Sequence, residues 1–397
     1  MLLSLAWIFL GALIMGSLAQ RLKLPDLVGM LLTGILMGPY GLDLLAPELL
    51  GSSADIRQMA LVIILMRAGL SLDLTGLKKI GRPAVLMGFI PASFEMASLI
   101  LLAPLLFDLP LLDAAILAAV IASASPAVIV PRMVTAIETG YGSEKGIPQL
   151  ILAGATVDDI FNIVVFSSLL GLATGANGGG MHILRFAEIP VAILLGIMGG
   201  IAAGWGMAKV FQRTHLRDTA KVIALLCLAF FLIGIEGTLA GFISFSGLLA
   251  VMTTGVILLR NIPATAKGVS KKFSKLWVGA EILLFVLVGA SMDISFIPSA
   301  GLRTLLLLAI VLIFRAMGIL VCLIKTDLNW KERLFCVLAG IPKATVQAAI
   351  GGIPLAMGLP NGGIILSVAV ITILFTAPIG AFLIDRTYKV LLSRHEV

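Results

Sequence analysis

Two adjacent carboxylates, Asp158 and Asp159, stand in the string ATVDDIFNIVVF, with mixed apolar residues before them and a long apolar run after. Neighbouring residues on a helix point about 100° apart, so one carboxylate can line an aqueous cavity while the other meets a partner. Asn162 is three and four residues on, within hydrogen-bonding reach of either. Two like charges side by side in apolar surroundings titrate as a coupled unit, and the sequence assigns the proton to neither member. Such a carboxylate can hold a proton or a small cation, but not both at once. The plainer reading, a cap at a helix end, fits poorly with the apolar run that follows.

Other ionisable residues share the same setting: Arg67, Glu95, Glu281, Arg315 and Lys343 all fall within apolar runs. A charge at mid-membrane costs roughly 2.5–3.5 kcal/mol on the insertion scale, so each needs a partner or a function. Glu95 and Arg315 would satisfy one another as a structural or gating ion pair. Arg67 and Glu281 are read as a further structural pair. If Pro342 starts a helix, Lys343 lies at its positive dipole end and needs a carboxylate, with Asp158 or Asp159 as the expected partner. Two strings also carry helix-breaking residues in mid-run. IASASPAVIVP contains Pro126, and AGIPKATVQAAIGGIP contains Gly340, Pro342 and the Gly351-Gly352 pair. Unwound backbone at membrane depth is tolerated only where it lines a cavity or is buried in protein, and half-helix ends there bind ions.

The elements that position these residues follow from composition. Of 397 residues, 60% are hydrophobic and only 12% are charged, against roughly a quarter charged in soluble domains. That excludes a soluble globular or disordered chain, and the long apolar runs exclude an outer-membrane barrel. An all-α polytopic membrane protein is expected, with about thirteen apolar segments near 2–20, 25–40, 56–72, 83–106, 111–137, 147–174, 189–211, 219–235, 239–259, 275–292, 302–324, 332–356 and 361–385. The first segment ends in Ser17-Leu18-Ala19 like a cleavable signal. It lacks a basic start, however, and Arg21 and Lys23 follow it, so it is read as a retained span. Most of the 28 lysines and arginines fall on alternate loops, among them Lys78, Lys79, Arg82, Lys209, Arg213 and Lys267, whereas Arg57, Arg185 and Arg303 fall on the others. The positive-inside rule then puts the N-terminus outside and the C-terminus in the cytoplasm of a plasma (inner) membrane. The net charge of +7 is thereby explained without nucleic acid. Residues 27–38 resemble 248–259, and 65–73 resemble 286–294, an offset of about 220 residues. With six segments and a linker between the copies, they form two inverted-topology repeats of six plus a linker helix. The two helix breaks occupy the fifth place of each repeat. Cys227, Cys322 and Cys336 lie inside apolar runs, and His182, His215 and His395 lie in loops or the tail, so neither a metal cluster nor an enzyme is expected.

Taken together, MRAGLSLD (66–73), SPAVIVP (125–131), GYGSEKGIP (140–148), VDDI (157–160), IPKATVQAAIG (341–351) and TAPIG (376–380) resemble the sodium/proton antiporters of the monovalent cation/proton antiporter superfamily, particularly the NHA-type branch. The resemblance implies two crossed broken helices in an ion-carrying core, a homodimer, and an elevator-like movement of the core. It divides the chain into scaffold and dimerisation helices at 1–82 and 219–301, core helices at 83–188 and 302–397 (the latter with a short cytoplasmic tail), and a linker helix at 189–218. With so little chain after residue 386, no nucleotide-binding regulatory domain is expected. The resemblance makes Asp159 the principal ion and proton carrier and Asp158 its neighbour. Hard oxygen donors suit hard cations, so Asp159 with Asp158, Ser125, Thr156 and Asn162 could replace part of the shell of Na⁺ or Li⁺. Electrogenic relatives carry a lysine where Arg315 stands here. A guanidinium stays protonated, which favours electroneutral one-for-one exchange by alternating access in the service of pH homeostasis, with no cofactor beyond the transported ions. The rivals are a K⁺/H⁺ antiporter, a sodium-coupled organic-acid symporter of the same layout, and a channel.

Overall fold

The computed structural model describes residues 1–71, 81–174, 188–214, 216–239 and 245–394. Lys78, Lys79, Arg185 and the histidines His182, His215 and His395 lie outside the described residues, and so do the expectations placed on them. In chain order the helices are α1 (Leu2–Arg21), α2 (Asp26–Met37), α3 (Pro47–Gly51), α4 (Ser53–Ser71), α5 (Arg82–Met87), α6 (Ile90–Phe107), α7 (Leu111–Ile121), α8 (Pro126–Glu138) and α9 (Ile147–Thr174). They continue with α10 (Glu188–Arg213), α11 (Asp218–Leu239), α12 (Gly247–Asn261), α13 (Pro263–Ala290), α14 (Ile297–Cys322), α15 (Trp330–Ala339), α16 (Thr345–Gly351), α17 (Ile353–Ala356) and α18 (Gly362–Leu391). Among the described residues there is no strand, only an isolated bridge between Tyr141 and Arg394. Nine stretches of helix in this set are long and apolar enough to cross a membrane.

The chain forms two compact units, one of Met1–Ala54, Asp73–Asn162 and Ile282–Val397, the other of Asp55–Leu72 and Ile163–Glu281. In the first unit α6 lies along α14, so that Glu95 and Arg315 come from packed neighbours. Around the α14–α15 connection, Met87, Ile151, Ile319, Phe335, Cys336 and Ile384 make a buried apolar cluster. Helix α15 starts with a capping box: the Asn329 side chain accepts from the Glu332 backbone N–H, and the Glu332 carboxylate accepts from that of Asn329. The same carboxylate receives Lys145 at 2.9 Å, tying the chain ahead of α9 to the start of α15. In the second unit α10 lies along α12.

Both expected helix breaks are present, and they differ in form. Helix α7 ends at Ile121, the chain runs without regular structure through Ser123 and Ala124, and α8 begins at Pro126, where a missing N–H costs nothing. Helix α15 ends at Ala339 with Gly340 as its cap, but Pro342 does not start the next helix. Residues 341–344 are irregular and α16 begins at Thr345. Pro342 therefore ends regular structure on its N-terminal side, where the residue before a proline avoids the helical region. Lys343 sits in the break itself and not in the first turn of a helix.

Without a hydrophobic force between helices in lipid, packing relies on small residues that let backbones approach. A Cβ added at Gly34 of α2 would come closer than 3.0 Å to the Val286 carbonyl of α13, and one added at Gly289 would do the same to the Leu31 carbonyl. Gly289→Ala should therefore lower the melting temperature of the detergent-purified protein, at a cost of about 1–3 kcal/mol for overpacking. Gly279→Ala on the same helix meets open space and should leave it unchanged or slightly raised. Equal melting curves for the two variants would show that the α2–α13 crossing is not close-packed.

Candidate functional site

The two breaks meet. The Ser125 backbone N–H donates to the Pro342 carbonyl at 2.8 Å, the Ser125 and Thr345 hydroxyls are hydrogen-bonded at 2.9 Å, and the Gln347 amide donates to the carbonyls of Ile121 and Ser123. Each contact satisfies a backbone or hydroxyl group that the interruption of a helix leaves open.

Arg315 reaches from α14 into this junction and is almost wholly buried. Its Nε donates to the Gly340 carbonyl at 2.8 Å and its Nη1 to the Ala122 carbonyl. These carbonyls close α15 and α7, so one guanidinium stands at the negative dipole ends of both half-helices. Nη1 also meets Glu95 Oε2 at 2.8 Å, and Nη2 meets Asp158 Oδ2 at 2.7 Å. The Ala124 backbone N–H, in the first break, donates to the same Asp158 oxygen at 2.8 Å. Asn162 donates to the Asp158 carbonyl at 2.7 Å and more weakly to its carboxylate at 3.4 Å. Asp158 is thus buried and fully engaged with the frame.

Asp159 differs from its neighbour in every respect that matters to chemistry. It is only partly buried, and no lysine or arginine lies within ion-pair distance of it among the described residues. Its carboxylate accepts from the Ser123 hydroxyl, in the middle of the first break. The 100° rotation between successive helical residues puts one aspartate on Arg315 and the other on Ser123.

Lys343 is fully buried, and its partner is Glu95, at 2.6 Å, in place of the aspartate pair expected from the sequence. The reason is positional: with Lys343 in the break, its ammonium lies against α6, while Arg315 already occupies Asp158. The Lys343 backbone N–H is held by the Thr376 hydroxyl of α18 at 3.0 Å. Of the oxygen donors expected around the carboxylates, Asn162 turns to Asp158, Ser125 to Thr345, and Thr156 donates to Leu152 of its own helix at 2.9 Å. The donor that does touch Asp159, Ser123, escaped the sequence reading although it sits two residues before Ser125 in the same string. Thr345, Gln347 and Thr376 escaped it as well. Arg67 and Glu281 belong to the second unit.

The family model described as "Sodium/hydrogen exchanger, transmembrane" matches residues 8–389. Human sodium/hydrogen exchanger 9B2 is 34% identical over 98% of this chain and 75% of its own length, and human sodium/hydrogen exchanger 9B1 is 30% identical over 98% and 78%. The structure of the sodium proton antiporter MjNhaP1 from Methanocaldococcus jannaschii superposes with a TM-score of 0.81 over 98% of this chain and 99% of that one, at 21% identity, which speaks for the fold alone. The chain therefore belongs to the transmembrane sodium/hydrogen exchanger family, as a sodium/proton antiporter of the monovalent cation/proton antiporter superfamily, a transporter and not an enzyme, with ions as cargo and no cofactor.

Proposed function

We propose that this antiporter exchanges one Na⁺ or Li⁺ for one H⁺ at Asp159, the two competing for the same carboxylate, with alternating access supplied by an elevator-like movement of the core. The observation that carries this reading is the pairing pattern. Three buried or half-buried carboxylates (Glu95, Asp158, Asp159) face two cations (Arg315, Lys343), and both cations are committed to Glu95 or Asp158. One negative charge is left over, and it rests on Asp159, which has no cationic partner among the described residues. A bare charge at membrane depth costs at least roughly 2.5–3.5 kcal/mol, so the empty core resists crossing. Either one Na⁺ or one proton neutralises it, which couples the two fluxes one for one. The Ser123 hydroxyl and the backbone of the first break, with Asp158 and Asn162 beside them, offer the hard oxygens that replace part of the ion's water shell.

Several finer features belong to the same proposal. The chain is taken as thirteen spans, each broken pair counting as one, arranged as two inverted repeats around the linker at 189–218. Support comes from contacts at the repeat offset: Glu95 pairs with Arg315 and Ser125 with Thr345, each 220 residues apart. Likewise, close backbone approach at Gly34 and Gly289 in one unit has a counterpart at Gly69 and Gly255 in the other. Scaffold helices at 1–82 and 219–301 would form the homodimer, and the core would comprise 83–188 and 302–397. The alternation of basic loops supports a plasma-membrane protein with its N-terminus outside.

Three outcomes test this reading. Asp159→Asn should abolish Na⁺-dependent proton flux in proteoliposomes while the protein purifies and melts as before. Retained flux would remove Asp159 from the central role, and parallel runs with Li⁺ and K⁺ define the cation. Moving one net charge per cycle would bias the gradients by about 2.3 kcal/mol per 100 mV; with a clamped potential, the steady-state Na⁺ and H⁺ gradients should instead be unmoved, and a shift with voltage would exclude one-for-one exchange. Finally, Glu95→Gln leaves Lys343 without its carboxylate, a loss of about 3–5 kcal/mol for a broken buried pair, whereas Glu95→Gln with Lys343→Gln should recover much of that stability in a thermal melt. No recovery would mean that Lys343 is not held by Glu95.

A further inference from the structure

A second built feature lies away from the ion site, in the same compact unit. A cavity of about 590 Å³ opens between α8 and the end of α18, with Arg132, Asp385, Arg386, Tyr388 and Lys389 among its walls. Arg132 is already neutralised: Nε and Nη2 meet the Asp385 carboxylate at 3.0 and 3.1 Å, and Nη1 donates to the Val128 carbonyl at 2.9 Å. Arg386 and Lys389 have no acidic partner within ion-pair distance among the described residues, so the wall carries two positive charges in excess. Tyr388 is wedged edge-on against Tyr141, with ring centroids 5.3 Å apart, and Lys389 stands 5.6 Å from the Tyr388 ring.

The depth of this cavity identifies the anion. Helix α18 has 30 residues, about 45 Å at 1.5 Å per residue, whereas the hydrocarbon core is about 30 Å thick. That length matches the bilayer with both headgroup layers, about 40–45 Å; centred in it, the helix runs about five residues past the hydrocarbon at each end, which puts Arg386 at the hydrocarbon edge and Lys389 in the headgroup layer. Directly along the helix from them, Phe375, Ile379 and Phe382 are exposed by 45, 50 and 64%. Steps of four and three residues keep these on one face, and Arg386 continues the stripe four residues further. A cationic cavity above a continuous exposed apolar stripe matches one amphiphile end to end.

We propose that this cavity is a binding site for an anionic phospholipid, whose phosphate is taken by Arg386 and Lys389 and whose acyl chain lies along Phe382, Ile379 and Phe375. The inference rests on the chain spanning a bilayer and is independent of which ions are exchanged. Its test reads lipid retention by native mass spectrometry from micelles containing equal phosphatidylglycerol and phosphatidylethanolamine. The wild-type protein should retain phosphatidylglycerol preferentially, and Arg386→Gln with Lys389→Gln should cut that preference about tenfold or more, as expected for two basic residues near anionic lipid. Lys209→Gln, a change of equal charge type outside this cavity, should leave it intact. Equal retention of the two lipids, or unchanged preference in the double variant, would overturn the site. Displacement of the lipid by millimolar inorganic phosphate would overturn the lipid assignment in favour of a soluble phosphate.

Discussion

The guanidinium of Arg315 is the constraint on which the rest of the core depends. It has five N–H donors in a rigid fork, and four contacts use them: two terminal carbonyls of interrupted helices and two carboxylates. Irregular backbone at membrane depth survives only where its polar groups are satisfied. Arg315 does this for Ala122 and Gly340 at once, and Gln347 does it for Ile121 and Ser123. Buried ion pairs contribute little net stability compared with an apolar filling, yet losing one partner is expensive. The value of the arrangement therefore lies in register. It fixes the two breaks against each other and so fixes where Ser123, Ala124 and both aspartates stand.

From that register follows the different fate of two identical neighbours. Asp158 meets Arg315 and the Ala124 N–H and becomes part of the frame, while Asp159, one residue on, meets the Ser123 hydroxyl. The difference owes nothing to residue type and everything to helical phase. A core built this way can keep its permanent charges matched while leaving one group whose occupancy is free to change.

Much of this could be read in the sequence because membrane depth is an unforgiving solvent. Apolar length set the helices, and charges inside apolar runs had to find partners, which pointed to Glu95 and Arg315. Proline and glycine in mid-run marked the two breaks. What could not be read was anything decided by the meeting of distant segments. Lys343 needed a carboxylate, but its choice of Glu95 depended on the break extending to Ala344, so that the lysine fell in irregular chain. The assumption that Pro342 opens a helix, as Pro126 does, carried the wrong phase into the prediction of its partner. Ser123 was passed over for Ser125 for a related reason: an irregular stretch has no period, so nothing in IASASP tells which hydroxyl turns toward α9 and which toward Thr345. Histidine and loop expectations at His182, His215 and His395 concern residues outside those described.

The identity of residue 315 bears on the proposed stoichiometry through chemistry alone. A lysine there would be a compact ammonium able to lose its proton when buried, whereas arginine remains charged at any pH a cell meets. Lys343, the one ammonium in the cluster, is tied to Glu95 and stands at one remove from Asp159. The proposed exchange requires Lys343, held by Glu95, to keep its proton beside Arg315, so that the frame of Glu95, Asp158, Arg315 and Lys343 carries the same charge in every state of the cycle. Only Asp159 alternates between ion and proton, each of which brings a single positive charge. A cycle whose two half-steps move equal charge in opposite directions cannot draw on the membrane potential. Under the proposed exchange, direction is set by the two concentration gradients alone, and net exchange runs wherever they are unequal, in an energised membrane or a depolarised one.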